Sequence, residues 1–262
     1  MPELRNVIVE KSEEIARIIL NRPEVLNAIN KEMLDQLKLA VYQCGNDRGI
    51  RAIIISGVGR AFCSGIDLNY AQILVKSTLD VTTYLRKMER LLADLEKMDK
   101  PTIAAVNGYA IGEGCEIALA CDFRIASENA RLGMTYIQLG LVATPAGTCR
   151  LIELVGLSKA KELILLGDSV EAEEALRLGL VNRVVATQDL EDSALELAVR
   201  LVKGAPLAIG VAKREINASI EANLRTAADF DIRTQAECLR SEDTREGIAA
   251  RIQKRKPVFK GR

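Results

Sequence analysis

The stretch from Pro101 to Asp122, PTIAAVNGYAIGEGCEIALACD, constrains the fold more than any other part of the chain. Thr102 to Val106 is a mostly apolar run after a proline and reads as a strand. Asn107-Gly108 breaks it. Gly108, Gly112 and Gly114 then let backbone approach backbone, or a ligand, with no Cβ in the way. From about Glu113 the pattern turns helical, with Cys115, Ala118, Leu119 and Cys121 apolar and the carboxylate of Glu116 within the first turn or so. A strand feeding a glycine-rich turn feeding a helix aims free backbone N–H groups at whatever lies ahead of the helix. Two chemistries fit. One is anion binding of the dinucleotide kind, although the glycines run G-x-x-x-G-x-G and not G-x-G-x-x-G. The other is an oxyanion hole, with Glu116 moving protons beside it. Taken alone, the stretch also fits a tight turn packing a buried helix, with Glu116 as a first-turn acid complementing the dipole.

Composition narrows the chemistry. The chain has 262 residues and no histidine. That removes Ser-His-Asp, Cys-His and His-ligated metal sites together. Any proton transfer must use Glu, Asp, Lys, Tyr, Cys or bound water. Thirty-six basic residues balance 36 acidic ones, so no net charge draws the chain to nucleic acid or a membrane surface. The absence of tryptophan and the scarcity of other aromatics argue against a base-stacking platform. The opening MPELRNVIVE has no apolar leader segment, and no apolar run is long enough to span a membrane. The six cysteines lack C-x-x-C spacing and read as reduced, mostly buried thiols of a cytoplasmic protein. No metal or separate cofactor is expected.

Before the central stretch, Val7 to Val9 and Ile15 to Leu20 read as strands joined by the charged turn 11–14. Asn30 reads as the N-cap of a helix with Met33, Leu34, Leu37 and Val41 on one face. Ala52 to Gly57 opens as a continuous apolar strand, buried on both faces. A second glycine-bearing loop, Gly59 to Leu68, follows it and is again placed to present backbone N–H groups, with Asp67 as a possible helix cap. Leu79 to Met98 is a long amphipathic helix ended by Lys100-Pro101. After the central stretch come strands at Phe123–Ala126 and Leu132–Met134, then a loop from Leu139 to Gly147. AIIISG, TIAAVNG and FRIAS recur with loose similarity, which suggests repeated β-β-α units.

From Ser158 the chain turns helical: Ser158–Leu166 and Glu171–Leu178, then a short strand at Leu180–Val185. Helices at Leu190–Lys203, Pro206–Glu221, Leu224–Arg240 and Thr244–Lys254 complete an all-helical C-terminal part. The basic end RKPVFKGR is expected to be frayed and solvated, or else to act as a strap toward a phosphate or a neighbouring subunit.

Several of these stretches carry a resemblance in order and spacing. They are NRPEVLNAIN from Asn21, AFCSGIDL from Ala61, KPTIAAVNG from Lys100, GEGCE from Gly112, ACDFR from Ala120 and AEEALRLGLVN from Ala172. Together they are similar to the enoyl-CoA hydratase/isomerase (crotonase) superfamily over nearly the whole chain. The resemblance implies an α/β fold, a crotonase-like spiral of β-β-α units spanning 1–200, with a C-terminal helical trimerisation region at 201–262. It implies an acyl-CoA thioester as substrate and a homotrimer or a hexamer formed as a dimer of trimers. It implies an oxyanion hole made by the N–H groups of Ile66 and Glu113. By the same matching, Val25, Leu26, Ala28, Ser64, Gly65, Asp67, Leu68 and Gly112 would bind the CoA ester, with Lys256 and Phe259 of the tail reaching the CoA or acyl group.

Two positions depart from that pattern. The second oxyanion donor, usually a glycine in hydratases, is Glu113. The second catalytic glutamate of hydratases, in a G-x-P-E pattern, is replaced by the tyrosine of Gly133-Met-Thr-Tyr136. Three outcomes stay open: Glu116 alone shuttles a proton as an isomerase, Tyr136 assists Glu116 in hydration, or Glu113 supplies the missing carboxylate. A first-turn acid such as Glu113 is expected to face solvent rather than take part in the chemistry, and Tyr136 is read evenly as pocket wall or participant. The leading expectation is an enoyl-CoA hydratase or lyase. A double-bond isomerase is second, and a catalytically weak trimeric binding or scaffold protein third.

Overall fold

The computed structural model describes residues 5–143, 146–220 and 222–262. Two sheets organise it. The larger has six strands, β1 (Val7–Ser12), β2 (Ile15–Leu20), β3 (Ala52–Gly57), β5 (Thr102–Val106), β7 (Phe123–Ser127) and β10 (Arg183–Val185), in that spatial order. Only the β1–β2 hairpin is antiparallel. The smaller sheet holds β4 (Ala61–Cys63), β6 (Tyr109–Ile111), β8 (Arg131–Gly133) and β9 (Val170–Glu171). The chain therefore runs from a strand of the large sheet to one of the small sheet in each of three successive units, β3–β4, β5–β6 and β7–β8. The recurring AIIISG, TIAAVNG and FRIAS segments are the three large-sheet strands of those units.

The continuous apolar strands follow from burial on both sheet faces. Ile53 and Ile55 point into the main core, which also holds α1 (Lys31–Asn46), α3 (Thr78–Lys97) and α4 (Glu113–Ala120). Ala52 and Ile54 point the other way, into a second cluster with Ile103, Ile125 and residues of α7 (Leu190–Val202). Successive side chains of a strand face opposite sides, so a strand covered twice has no polar side to show. α7 thus belongs to the sheet and not to a separate helical part. Asn30 caps α1 by accepting from the Met33 N–H at 2.8 Å. Asp67 caps α2 (Leu68–Leu74) through the N–H groups of Asn69 and Tyr70.

Other elements depart from expectation. β1 runs on to Ser12, so the hairpin turn is tighter than the four-residue one read from charge. α5 spans Gly147–Leu166 and absorbs a segment before Ser158 that carried no helical signal; Gly156, at φ 76°, interrupts it. α6 (Ala172–Arg177) follows β9. α8 (Pro206–Ser219) and α9 (Leu224–Arg240) lie near their expected ranges, and α10 (Glu242–Ile252) starts two residues early. Pro145 and Glu221, placed by the sequence at a loop and at a helix end, lie outside the described residues. The tail is not frayed. Lys260 and Gly261 N–H groups donate to the Asp243 carboxylate, the Arg262 carbonyl accepts from Glu242 and Asp243, and Arg51 donates to the Phe259 carbonyl at 3.0 Å.

α8 is fastened to the sheet by a buried cation. Lys213 Nζ donates to the Leu95 and Lys100 carbonyls and lies 2.8 Å from Asp122 Oδ2, whose carboxylate also accepts from the N–H and hydroxyl of Thr102. Breaking a buried pair leaves an uncompensated charge and costs about 3–5 kcal/mol. Lys213→Met is therefore expected to lose stability on that scale, read from the urea midpoint at unchanged m-value.

Candidate active site

The two glycine-bearing loops meet at one end of the small sheet. Ile29 forms a parallel bridge with Ile66. Its N–H donates to the Gly65 carbonyl at 2.7 Å, and its carbonyl accepts from the Asp67 N–H at 2.9 Å. Groups alternate along an extended chain, so this bridge turns the Ile66 N–H to the opposite side. Gly65, at φ 92°, makes the turn possible, and a Cβ there would lie 3.0 Å from both Glu113 Oε2 and the Ile111 carbonyl oxygen.

On the facing loop, Gly112 starts α4 at φ 55°, so Glu113 supplies one of the free N–H groups of the helix start. Gly114 presses against β4, where its absent Cβ would sit 2.1 Å from the Cys63 carbonyl oxygen. The other end of α4 is closed by Arg124, buried, which donates to the Cys121 carbonyl at 2.6 Å and the Leu180 carbonyl at 2.7 Å.

Glu113 is not where the sequence placed it. Its side chain is 2 % exposed and turns inward, correcting the expectation of a solvent-facing acid. The Ile66 N–H donates to its Oε2 at 2.9 Å, and the Tyr84 hydroxyl donates to its Oε1 at 3.4 Å. Burial raises its pKa above the ordinary carboxylate value. Its own N–H, that of Ile66, and the Tyr84 and Tyr136 phenols pull the other way. Tyr84, on α3, was legible only as part of an apolar face. Its phenol is held protonated by burial first and then by the nearby carboxylates of Glu113 and Glu116. The Cys63 thiol is itself pushed up to about 12 by burial, so it supplies no nucleophile.

Glu116 lies one turn beyond Glu113 on α4, and three residues apart on a helix share a face. Its side chain is fully buried, against the first turn of α5, where a Cβ on Gly147 would come 2.3 Å from Oε1. A carboxylate beside a helix N-terminus is stabilised by the partial positive charge there. Arg150, in the next turn of α5, feels the charge of Glu116 and is ion-paired with Glu96.

A cavity of about 430 Å³ opens in front of the two loops. Val25, Ala28, Ser64, Gly65, Ile66, Asp67, Leu68, Gly112, Glu113 and Tyr136 line it. Tyr136 packs its ring edge over Gly112, 3.5 Å from where a Cβ would lie. Leu26 is not in the wall; it holds the loop in register, its carbonyl accepting from the Ser64 N–H. The Asp67 carboxylate is engaged structurally, with Arg22 Nη2 at 3.0 Å, while Arg22 Nη1 donates to the Ala28 carbonyl. Glu116 stands behind Glu113 and outside the lining. Lys256 and Phe259 lie elsewhere in this protomer: Lys256 is exposed, and Phe259 faces α10, 3.4 Å from where a Cβ on Gly247 would be. Sequence reasoning missed Asn27. It is fully buried and pins the 22–28 loop to β4 by donating to the Val58 and Ala61 carbonyls.

A spiral of sheet-switching units whose two glycine loops converge on a pocket with a buried glutamate is a fold shared with solved acyl-CoA enzymes. The crystal structure of enoyl-CoA hydratase from Bacillus anthracis superposes with a TM-score of 0.94 at 34% identity, over 98% of this chain and 100% of that one. The chain belongs to the enoyl-CoA hydratase/isomerase family, which it matches over residues 10–262. It is 39% identical over 255 residues to the short-chain-enoyl-CoA hydratase of Clostridium acetobutylicum, covering 97% of each. It is 38% identical over 260 residues to the 2,3-dehydroadipyl-CoA hydratase of Escherichia coli, covering 99% of this chain and all of that one. It is thus an enzyme of the hydratase/isomerase type.

Proposed function

We propose that this enzyme hydrates an enoyl-CoA thioester. One observation carries the reading: the N–H of Ile66 and that of Glu113, from separate loops, both act on one anionic group at the head of α4, with Glu116 a turn away. In hydration the water oxygen bonds to C3, the C2–C3 electron pair moves toward the carbonyl, and the thioester oxygen becomes an enolate oxygen. The two N–H groups would hold that charge, each worth about 10²- to 10³-fold in rate. Glu116 takes one proton from the attacking water and returns it to C2; the other stays on the new hydroxyl. One carboxylate thus closes the proton balance, and Tyr136, in the cavity wall, serves to anchor the water. The CoA ester would lie along Val25, Ala28, Ser64, Gly65, Asp67, Leu68 and Gly112, with Leu26 shaping the loop behind.

We assign residues 1–200 to the acyl-CoA-binding core and 201–262 to a trimer-forming region. Leu224 and Ile232 of α9 and Ile252 of α10 are exposed apolar residues that a subunit contact would cover. In that assembly Lys256 and Phe259 would face a neighbouring subunit's site. Six unpaired thiols fit a cytoplasmic setting, and no helix among the described residues is long and apolar enough to cross a membrane.

The test is product mass after incubating crotonyl-CoA with the enzyme in heavy water. Gain of one water, with deuterium at C2, is expected. A shifted double bond and deuterium without added water would make the enzyme an isomerase working through Glu116 alone. CoA-ester binding with no turnover across a broad acyl panel would make it a binding protein.

A further inference from the structure

The oxygen-binding position between the two loops is already filled by the protein itself. Glu113 Oε2 accepts the Ile66 N–H at 2.9 Å, and the carboxylate also draws on its own N–H. These are the two donors that the proposed function reserves for the thioester oxygen, and the present inference rests on that assignment. Tyr84 holds the other carboxylate oxygen from behind, and Gly65 leaves room for the arrangement only because it has no Cβ. Glu113 lines the cavity while Glu116, with no exposed surface, does not.

We propose that the Glu113 carboxylate is a built-in competitor for the oxyanion hole, a gate that an incoming thioester must displace before it can be polarised and before its acyl group meets Glu116, with Tyr84 as the latch. A carboxylate accepts hydrogen bonds about twice as strongly as a neutral carbonyl oxygen, so the gate favours its closed position over a ground-state thioester. It gives way more readily to an enolate, whose oxygen carries the same charge. The binding-competent form is then a minor one, and the apparent affinity for thioesters falls by the fraction that is open.

The experiment uses butyryl-CoA, which binds without reacting, and free CoA, which has no thioester oxygen. Dissociation constants are measured by calorimetry, and the carbonyl stretch of bound ¹³C-labelled butyryl-CoA by difference infrared spectroscopy. The Glu113→Ala variant keeps both N–H groups and removes the competitor. Butyryl-CoA is expected to bind about tenfold tighter or more, the worth of one charge-assisted hydrogen bond. Its carbonyl stretch should move to lower frequency than in the unmodified enzyme, with affinity for free CoA unchanged. Glu113→Gln, which keeps shape but not charge, and Tyr84→Phe, which releases the latch, should move both readouts the same way by less; they carry the test if Glu113→Ala fails to fold. Unchanged butyryl-CoA affinity in these variants, with a carbonyl already fully shifted in the unmodified enzyme, would overturn the gate and leave the oxyanion hole standing. A carbonyl left unshifted in every protein, Glu113→Ala included, would overturn the hole itself and the gate with it.

Discussion

Glu116→Gln is expected to lower kcat on crotonyl-CoA by about 10²- to 10⁴-fold, the range spanned by a general acid–base group. The change is isosteric, and the Glu116 side chain is packed by the Gly147 backbone, so the fold should tolerate it. Glu116 does not line the cavity that would take the CoA ester, so the affinity for CoA should stay unchanged while turnover falls. Steady-state kinetics beside calorimetric titration with CoA separate the two. Full turnover in this variant would take the proton transfer away from Glu116 and place it on Glu113 or Tyr136.

Gly114→Ala should act on the same reaction by a different route. Its Cβ would stand 2.1 Å from the Cys63 carbonyl oxygen and 2.8 Å from the Cys63 carbonyl carbon, all backbone of β4. No side-chain rotation relieves that overlap, so α4 and β4 must separate. Ile66 follows Cys63 by three residues and Glu113 precedes Gly114, so separation draws the two N–H donors apart. We expect kcat/KM to fall by about 10²-fold or more, the worth of one oxyanion donor. Stability should fall by about 1–3 kcal/mol, as overpacking elsewhere does. Gly45→Ala, in α1, is the control: its nearest neighbour would be the Met98 Cε at 3.7 Å, an ordinary contact, and activity should be unaffected. Normal kcat/KM in Gly114→Ala would mean that the spacing of the two loops does not set the rate.

What the sequence made legible was local or repeated. The Asn30 and Asp67 caps could be read because a cap is satisfied within three residues of itself. The buried strands were readable from apolar runs such as Ile53 to Ile55. The two glycine loops were readable because close backbone approach demands glycine, as at Gly65 and Gly114. Three-residue strands such as Ala61–Cys63 and Tyr109–Ile111 are too short to show a period, so of the second sheet only the strand near Leu132 was readable. The first half of α5 begins Gly147-Thr148-Cys149, weak helix formers, and is held by packing against Glu116.

Side-chain direction was the harder quantity. A first-turn glutamate complements the helix dipole whether it turns outward or inward. The Ile66 N–H and the Tyr84 hydroxyl, 47 and 29 residues away in sequence, together with the Tyr136 phenol, hold Glu113 inward. Lys213 likewise reads as an ordinary helix-surface lysine until the carbonyls of Leu95 and Lys100 and the carboxylate of Asp122 are brought around it.

The order of the large sheet bears on how such a chain is made. From β1 to β10 its strands lie side by side in the order in which they occur along the chain. No strand has to be inserted between two that are already paired. As the polypeptide leaves the ribosome, each new unit can add its strand to a single growing edge, beginning from the β1–β2 hairpin, whose partners are close in sequence. The later pairings span longer loops, as where Arg183 meets Ile125, and closing them is slow. Synthesis from the N-terminus offers those partners one at a time, so the growing edge must be kept from other chains until β10 covers it.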